Sequence, residues 1–181
     1  MVEFWDILDE NRNKTGRLHE RGKPMQQGDC HLVVHIWVMN NKGEFLISKR
    51  SPDVTGWAGM WQTTSGSAVA GDDSLTTALK ETAEEIGVTL NPKNGQLFKQ
   101  FEAPHTINKG SVFYDAWLFK QEIDISSIVL QPDETCDSMW ADQEKIRQMI
   151  RDNVFISEKR VYPYLDELFA FCGNCDIPDD R

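Results

Sequence analysis

The spacing of apolar and polar residues predicts a chain in which strands come first, one marked helix sits in the middle, and helices close the carboxyl end. Residues 4–8 (FWDIL) are β-prone, residues 9–16 are rich in turn formers and residues 17–21 return, which predicts a hairpin extension over residues 1–24. Residues 30–39 (CHLVVHIWVM) form a near-continuous apolar run, as expected of a strand buried on both faces. The turn Asn40-Asn41-Lys42-Gly43 predicts an antiparallel partner at residues 44–49. Further strands are expected at 62–65, at 96–101, at 111–119 (the last two separated by a loop over 102–110) and around Met139-Trp140-Ala141. Residues 143–151 and 161–171 carry helical patterns and define a carboxyl-terminal helical region over 142–171. Residues 176–181 are expected to fray.

Residues 66–88, GSAVAGDDSLTTALKETAEEIGV, organise this series. Gly66 ends a β-prone run, Gly71-Asp72-Asp73-Ser74 offers several helix N-caps, and Gly87 stands where a helix ends, so the unit reads strand, loop, helix, loop. At about 100° per residue, with Glu81 at zero, Glu84 falls near −60° and Glu85 near +40°. Leu75, Leu79, Thr82 and Ile86 fall at about 100–160°, on an apolar face. Three carboxylates on neighbouring turns repel by roughly 0.2–0.5 kcal/mol a pair. A solvated helix face accounts for such a cluster as well as a hard cation does on these residues alone.

Composition narrows the setting. The 181 residues suffice for one domain with a sizeable core, and 40% hydrophobic with 27% charged residues is ordinary for a soluble protein. No apolar run approaches the length of a membrane span, and the first residues are too acidic for a secretory signal, so a cytoplasmic protein without a membrane partner is expected. A net charge of −10 argues against nucleic acid, and any phosphate-bearing substrate then needs local cations or a metal. Lys49 and Arg50, at the end of the strand predicted at 44–49, are candidates for phosphate contacts; Arg17, Arg21 and Lys23 could face an anionic substrate, with solvated positions favoured. Cys30, Cys136, Cys172 and Cys175 do not make a disulfide framework, and the single Cys172-Gly-Asn-Cys175 motif lacks two further zinc ligands. His31 and His35 share one strand face and are open to ligation or to a structural role. Asp115 interrupts an apolar strand, so it must be exposed or stand near a cation.

The unit over residues 66–88 resembles the signature of the Nudix hydrolases: Gly, five residues, Glu, seven residues, Arg-Glu, an aliphatic, any residue, Glu-Glu, any residue, Gly and an aliphatic. Gly66, Glu81, Glu84, Glu85, Gly87 and Val88 match at the required spacing, whereas Asp72 stands for the first Glu, Lys80 for Arg and Thr82 for the aliphatic. Gly56-Trp57-Ala58-Gly59-Met60-Trp61 is similar to the Pro-Gly-x-Trp loop that precedes this box, with Trp61 expected under the box and Trp57 free to line a pocket.

The resemblance implies an α/β/α sandwich with a mixed sheet, one domain over residues 1–181, and a small-molecule organic diphosphate as substrate. It implies Mg2+ or Mn2+ held by Glu84 and Glu85, with Glu81 as ligand or base, the Gly66 carbonyl completing coordination, and Asp72 reaching the ion through water. Lys80, a point charge in place of a guanidinium fork, implies a looser ion pair and reduced activity. Asp115 is an auxiliary metal, base or substrate residue on the same analogy, and Lys49, Arg50, Lys80 and Trp57 are candidate substrate contacts. A hairpin before the domain is common in the branch resembling isopentenyl-diphosphate isomerase, where it often serves dimer contacts, so a homodimer is possible. The isomerases carry a catalytic Cys before the box glycine and a His after it, where this chain has Ser65 and Ser67, and one of their metal-binding His residues falls on Pro24. Hydrolysis is therefore favoured over isomerisation, with a non-catalytic diphosphate-binding module as the other alternative.

Overall fold

Strand β3 (Cys30–Met39) is the seam of the molecule, because both of its faces are covered and four other strands bond to it. In the computed structural model, which describes residues 2–104, 110–157 and 161–173, β1 (Phe4–Leu8) and β2 (Lys14–Glu20) form an antiparallel hairpin whose end at Leu8 pairs with Cys30. Antiparallel to β3 lie β4 (Phe45–Arg50) and β6 (Thr64–Ser67); the short β5 (Trp61–Gln62) extends from β4. The parallel neighbour is β8 (Ser111–Lys120), in register from Cys30↔Ser111 to Met39↔Lys120, and β7 (Gly95–Pro104) flanks it. Strand β9 (Thr135–Ala141) lies antiparallel to β4. Helices α1 (Ser74–Ile86), α2 (Gln143–Arg151) and α3 (Leu165–Gly173) complete an α/β fold with an open mixed sheet.

The period of two along β3 assigns its side chains. Val34, Ile36 and Val38 pack with Ala78 and Ile86 of α1, whereas Trp37 and Met39 pack with Ile146, Met149, Phe155 and Phe169 on the opposite side. Each fully buried large side chain contributes about 1.5–3 kcal/mol of transfer free energy. That symmetric burial is why the run is apolar throughout.

Element boundaries moved where side chains act on the backbone. The return strand starts at Lys14 because Asp9 closes the turn early, accepting from the amides of Asn11 (2.9 Å) and Asn13 (2.8 Å) while Arg12 takes φ 66°. The strand expected at 62–65 is two: β5 pairs with β4 and β6 with β3, and buried Thr63 at the crossover donates its hydroxyl to the Ile36 carbonyl. Strand β7 runs on to Pro104, so the expected loop is shorter. The last helix starts at Leu165 because Pro163 disfavours helical geometry before it, and Tyr162 and Tyr164 enter the core ahead of the helix. Trp61 packs with the cluster formed by the carboxyl-terminal helices, on the face opposite α1 and not under the box. Cys175 and residues 176–181 lie outside the described residues.

Candidate active site

Helix α1 is fixed at both ends before it presents any chemistry. Asp73 caps it by accepting from the Thr76 amide at 2.7 Å, and Gly87 closes it at φ 69° with its amide bonded toward Ala83 and Thr82. A Cβ at Gly87 would stand 2.9 Å from that of Val129, so both conformation and space call for glycine. With the ends set, Thr82 and Ile86 enter the core, and the helix turns Glu81, Glu84 and Glu85 toward a cleft of about 540 Å³. Gly66, Arg50 and Glu134 share that cleft, and so do Glu3 and Arg21 of the hairpin.

The three box carboxylates sit in different environments. Glu84 is exposed, Glu81 is half-buried, and Glu85 is 4% exposed, with Oε2 buried and without a hydrogen-bond partner among the described residues. The acidic face is thus graded in burial, since Glu85 lies at the margin of the buried face. Burial pushes the Glu81 carboxyl up to about 8, helped by Glu84, Glu134 and Glu3 and opposed by Arg21. Burial likewise raises Glu85, with Glu81 and Glu134 adding to it and Arg50 opposing. A buried carboxylate oxygen with no donor is costly unless a cation meets it. The donor set, all carboxylate plus a backbone carbonyl, suits a hard divalent ion. Among the described residues no three such groups already stand close enough to close on one ion, as expected of like charges that repel.

Gly66 has its own reason. A Cβ there would fall 1.9 Å from Cδ of Glu81, so the glycine makes the room in which that carboxyl rests. Gly66→Ala is expected to displace Glu81 and lower turnover by about a hundredfold. The fold should survive, because the colliding atoms end a movable side chain. Unchanged turnover with an unchanged melting temperature would show that the Glu81 position does not matter.

Two cations border the cleft. Arg50 donates from Nε to the Gly56 carbonyl at 3.1 Å and from its terminal nitrogens toward Thr55 and Gln62 at 3.4 Å, so it ties the loop of Trp57 to the cleft wall. Arg21, for which the sequence favours a solvated position, lines the cleft and pairs with Glu3 at 2.5 Å. The hairpin is held there by the Ala70 amide on the Phe4 carbonyl (2.7 Å) and the Gly71 amide on the Asp6 carboxylate (2.8 Å). Glu134 is placed by its carbonyl, which accepts from the Ser51 amide at 2.8 Å.

Four residues expected at the site are elsewhere. Asp72 accepts from Lys80 Nζ through both oxygens at 2.8 Å, a brace between the loop and the exposed side of α1; this pair replaces the expected water-bridged metal contact and the expected substrate contact of Lys80. Asp115 lines a separate cavity of about 230 Å³ together with Asp72, and it is buried against the Arg12 guanidinium and Gln100 Nε2. It has the cation its burial demands, supplied by the hairpin. Lys49 sits over the Trp61 ring at 5.9 Å instead of in the cleft. His35 bonds Tyr164 at 2.9 Å and is held neutral by burial, which lowers its pKa to about 3, and His31 stacks on Trp5; neither lines the carboxylate cleft. Asp72→Asn is expected to cost at most about 1 kcal/mol, as an exposed pair does. Its metal affinity by calorimetric titration should stay within about twofold of wild type, and a tenfold loss would return Asp72 to the site.

Residues 30–165, which include this box, fit the family model described as NUDIX domain. The chain belongs to the Nudix hydrolase family. A Nudix hydrolase of Listeria innocua, itself uncharacterized, is 34% identical over 171 residues, covering 93% of this chain and 94% of the relative. The isomerase branch is present at greater distance: an isopentenyl-diphosphate Delta-isomerase of Citrobacter koseri is 23% identical over 145 residues, or 80% of each chain. The fold is similar to a Deinococcus radiodurans crystal structure at TM-score 0.70 and 18% identity, covering 94% of this chain and 99% of that one. No helix among the described residues is long and apolar enough to cross a membrane.

Proposed function

We propose that this Nudix protein is a metal-dependent hydrolase that cleaves the diphosphate bond of a nucleoside diphosphate linked to another moiety, or of a related organic diphosphate. The observation that carries this reading is the buried, unpartnered Oε2 of Glu85 in a cleft shared with Glu81, Glu84 and Gly66. Glu84 and Glu85 would hold Mg2+ or Mn2+, with the Gly66 carbonyl completing the set. The ion, when bound, supplies charge neutralisation for the phosphate oxygens and lowers the pKa of a bound water. Arg50 and Arg21 supply the fixed positive charge that admits an anion to an acidic protein. Glu81, which keeps its proton to about pH 8 when no cation is near, serves as a further ligand or as the group that takes the proton of the attacking water. Ser65 and Ser67 line the cleft where the isomerases place Cys and His, and a hydroxyl does not replace a thiol in that protonation chemistry. The net charge of −10 and a small-molecule substrate fit a cytoplasmic enzyme without a nucleic-acid partner.

A screen for the products of diphosphate cleavage, separated by ion-exchange chromatography, across nucleoside triphosphates, nucleotide sugars, dinucleotides and prenyl diphosphates, with Mg2+ and Mn2+ compared, tests the reading. Cleavage of at least one class, lost on chelation, is expected. A protein inert toward all of them with both metals would be a binding module, and double-bond migration without diphosphate cleavage would make it an isomerase.

A further inference from the structure

The path from Gly66 to the box helix crosses the hairpin. The Ala68 amide bonds the Leu32 carbonyl at 2.9 Å, continuing β6 along β3, and Asp73 caps α1, so residues 69–72 are the link that sets where the helix begins. Two successive amides of that link are satisfied by β1. Ala70 donates to the Phe4 carbonyl at 2.7 Å, and Gly71, at φ 99°, donates to Asp6 Oδ2 at 2.8 Å. Lys14 Nζ stands 2.7 Å from the same oxygen. An irregularity in the hairpin delivers that lysine: Asp6 faces Leu18 and Leu8 faces Lys14, so Thr15, Gly16 and Arg17 lie opposite Ile7 alone, with Gly16 at φ 79°. Extra residues in one strand re-aim side chains at the edge of a sheet. The Asp6 side chain is 19% exposed, and a charged acceptor bonds an amide more strongly than a neutral one.

The other end of α1 is held separately, by the Gln131 amide on the Glu85 carbonyl (2.9 Å) and the Val129 amide on the Ile86 carbonyl (3.1 Å). The start of the helix rests on the link and on the Trp117 indole, which donates to Ser74 Oγ at 2.8 Å. Tolerance in between is small, since Gly66 leaves no room for a Cβ beside the Glu81 carboxyl. Resting on the metal-dependent reading above, we propose that Asp6 is a positioning residue for the box. Through the Gly71 amide it fixes the link, and through the link it fixes the Gly66 carbonyl against the carboxylates of Glu81, Glu84 and Glu85. Asp6 itself lines the separate cavity of Asp115 and not the carboxylate cleft, so it acts only through the backbone. A displacement of about 1 Å in such a constellation costs about a hundredfold in rate. Loosening one of two anchors of the link, with Ala70 still bonded, calls for a smaller loss.

The test is Mg2+ binding by calorimetric titration, beside steady-state kinetics with a substrate found by the screen, for wild type, Asp6→Ala and Asp6→Asn well below the melting temperature of the least stable. Asn loses the ion pair with Lys14 but keeps an oxygen for the Gly71 amide, whereas Ala loses both. Lys14 is half exposed, so its ammonium stays solvated in Asp6→Ala and the fold should survive. Asp6→Ala is expected to bind Mg2+ about tenfold more weakly and to lower kcat about tenfold, with KM within about twofold. Asp6→Asn is expected to stay within about threefold of wild type in Mg2+ affinity and kcat. A role in stability alone would lower the melting temperature and leave both unchanged. Asp6→Ala binding Mg2+ within about twofold of wild type, or Asp6→Asn falling as far as Asp6→Ala, overturns the proposal. Affinity is read apart from turnover: an Mg2+ affinity that falls in Asp6→Ala, in a protein that cleaves no diphosphate, sinks the hydrolase reading and leaves the positioning role standing.

Discussion

Glu84→Gln and Glu85→Gln are each expected to reduce turnover about a thousandfold, a loss of roughly 4 kcal/mol of transition-state stabilisation. The amide keeps the shape of the carboxyl and removes its charge, so the effect reports on charge toward a cation. The two variants should differ in the folded state. Glu84 is exposed, and its replacement should leave the metal-free melting temperature unchanged. Glu85 is buried with an unpartnered oxygen, so its replacement should raise the metal-free melting temperature while abolishing the stabilisation that Mg2+ gives the wild type. Calorimetric scans with and without Mg2+, beside turnover, check both. Retention of more than a tenth of wild-type turnover in either variant would remove that carboxylate from the metal site.

The second large effect concerns pH. The Glu81 carboxyl is raised from its ordinary 4.5 to about 8, so the folded protein binds that proton more tightly than the unfolded chain does. Its favourable contribution is complete below about pH 4.5 and is lost as pH rises toward 8. In metal-free protein, Glu81→Gln should therefore match wild type near pH 4.5 and become more stable by on the order of 2 kcal/mol near pH 8, about 5 °C for a chain of this length. Added Mg2+ should narrow the gap by stabilising the wild type. Melting curves that run parallel for the two proteins from pH 5 to 8 would contradict the burial and charge crowding assigned to Glu81.

What could be read from the sequence was whatever the chain specifies locally. The run CHLVVHIWVM announced a strand covered on both sides, and β3 is covered by α1 on one face and by the carboxyl-terminal helices on the other. The spacing of Gly66, Glu81, Glu84 and Glu85 named residues that share one cleft. The same reading failed wherever a partner came from far along the chain. Asp115 had to be exposed or stand near a cation, and nothing local could say that it would be buried against Arg12, 103 positions away. Asp72 and Lys80 kept the charges of the family pattern, but only the fold revealed that those charges face each other away from the cleft. Arg21 looked solvated because its neighbours in sequence are polar, whereas the register of β1 on β2 and the bonds from Ala70 and Gly71 carry it to the rim.

That docking of the hairpin divides the cleft between two stretches of the chain. The match to the family begins at residue 30, yet Glu3 and Arg21 both precede it. A version of the protein trimmed to the matching region would keep every box carboxylate and lose Glu3 and Arg21 from the cleft. Substitutions in the first two dozen residues can therefore reshape the cleft while the box stays untouched.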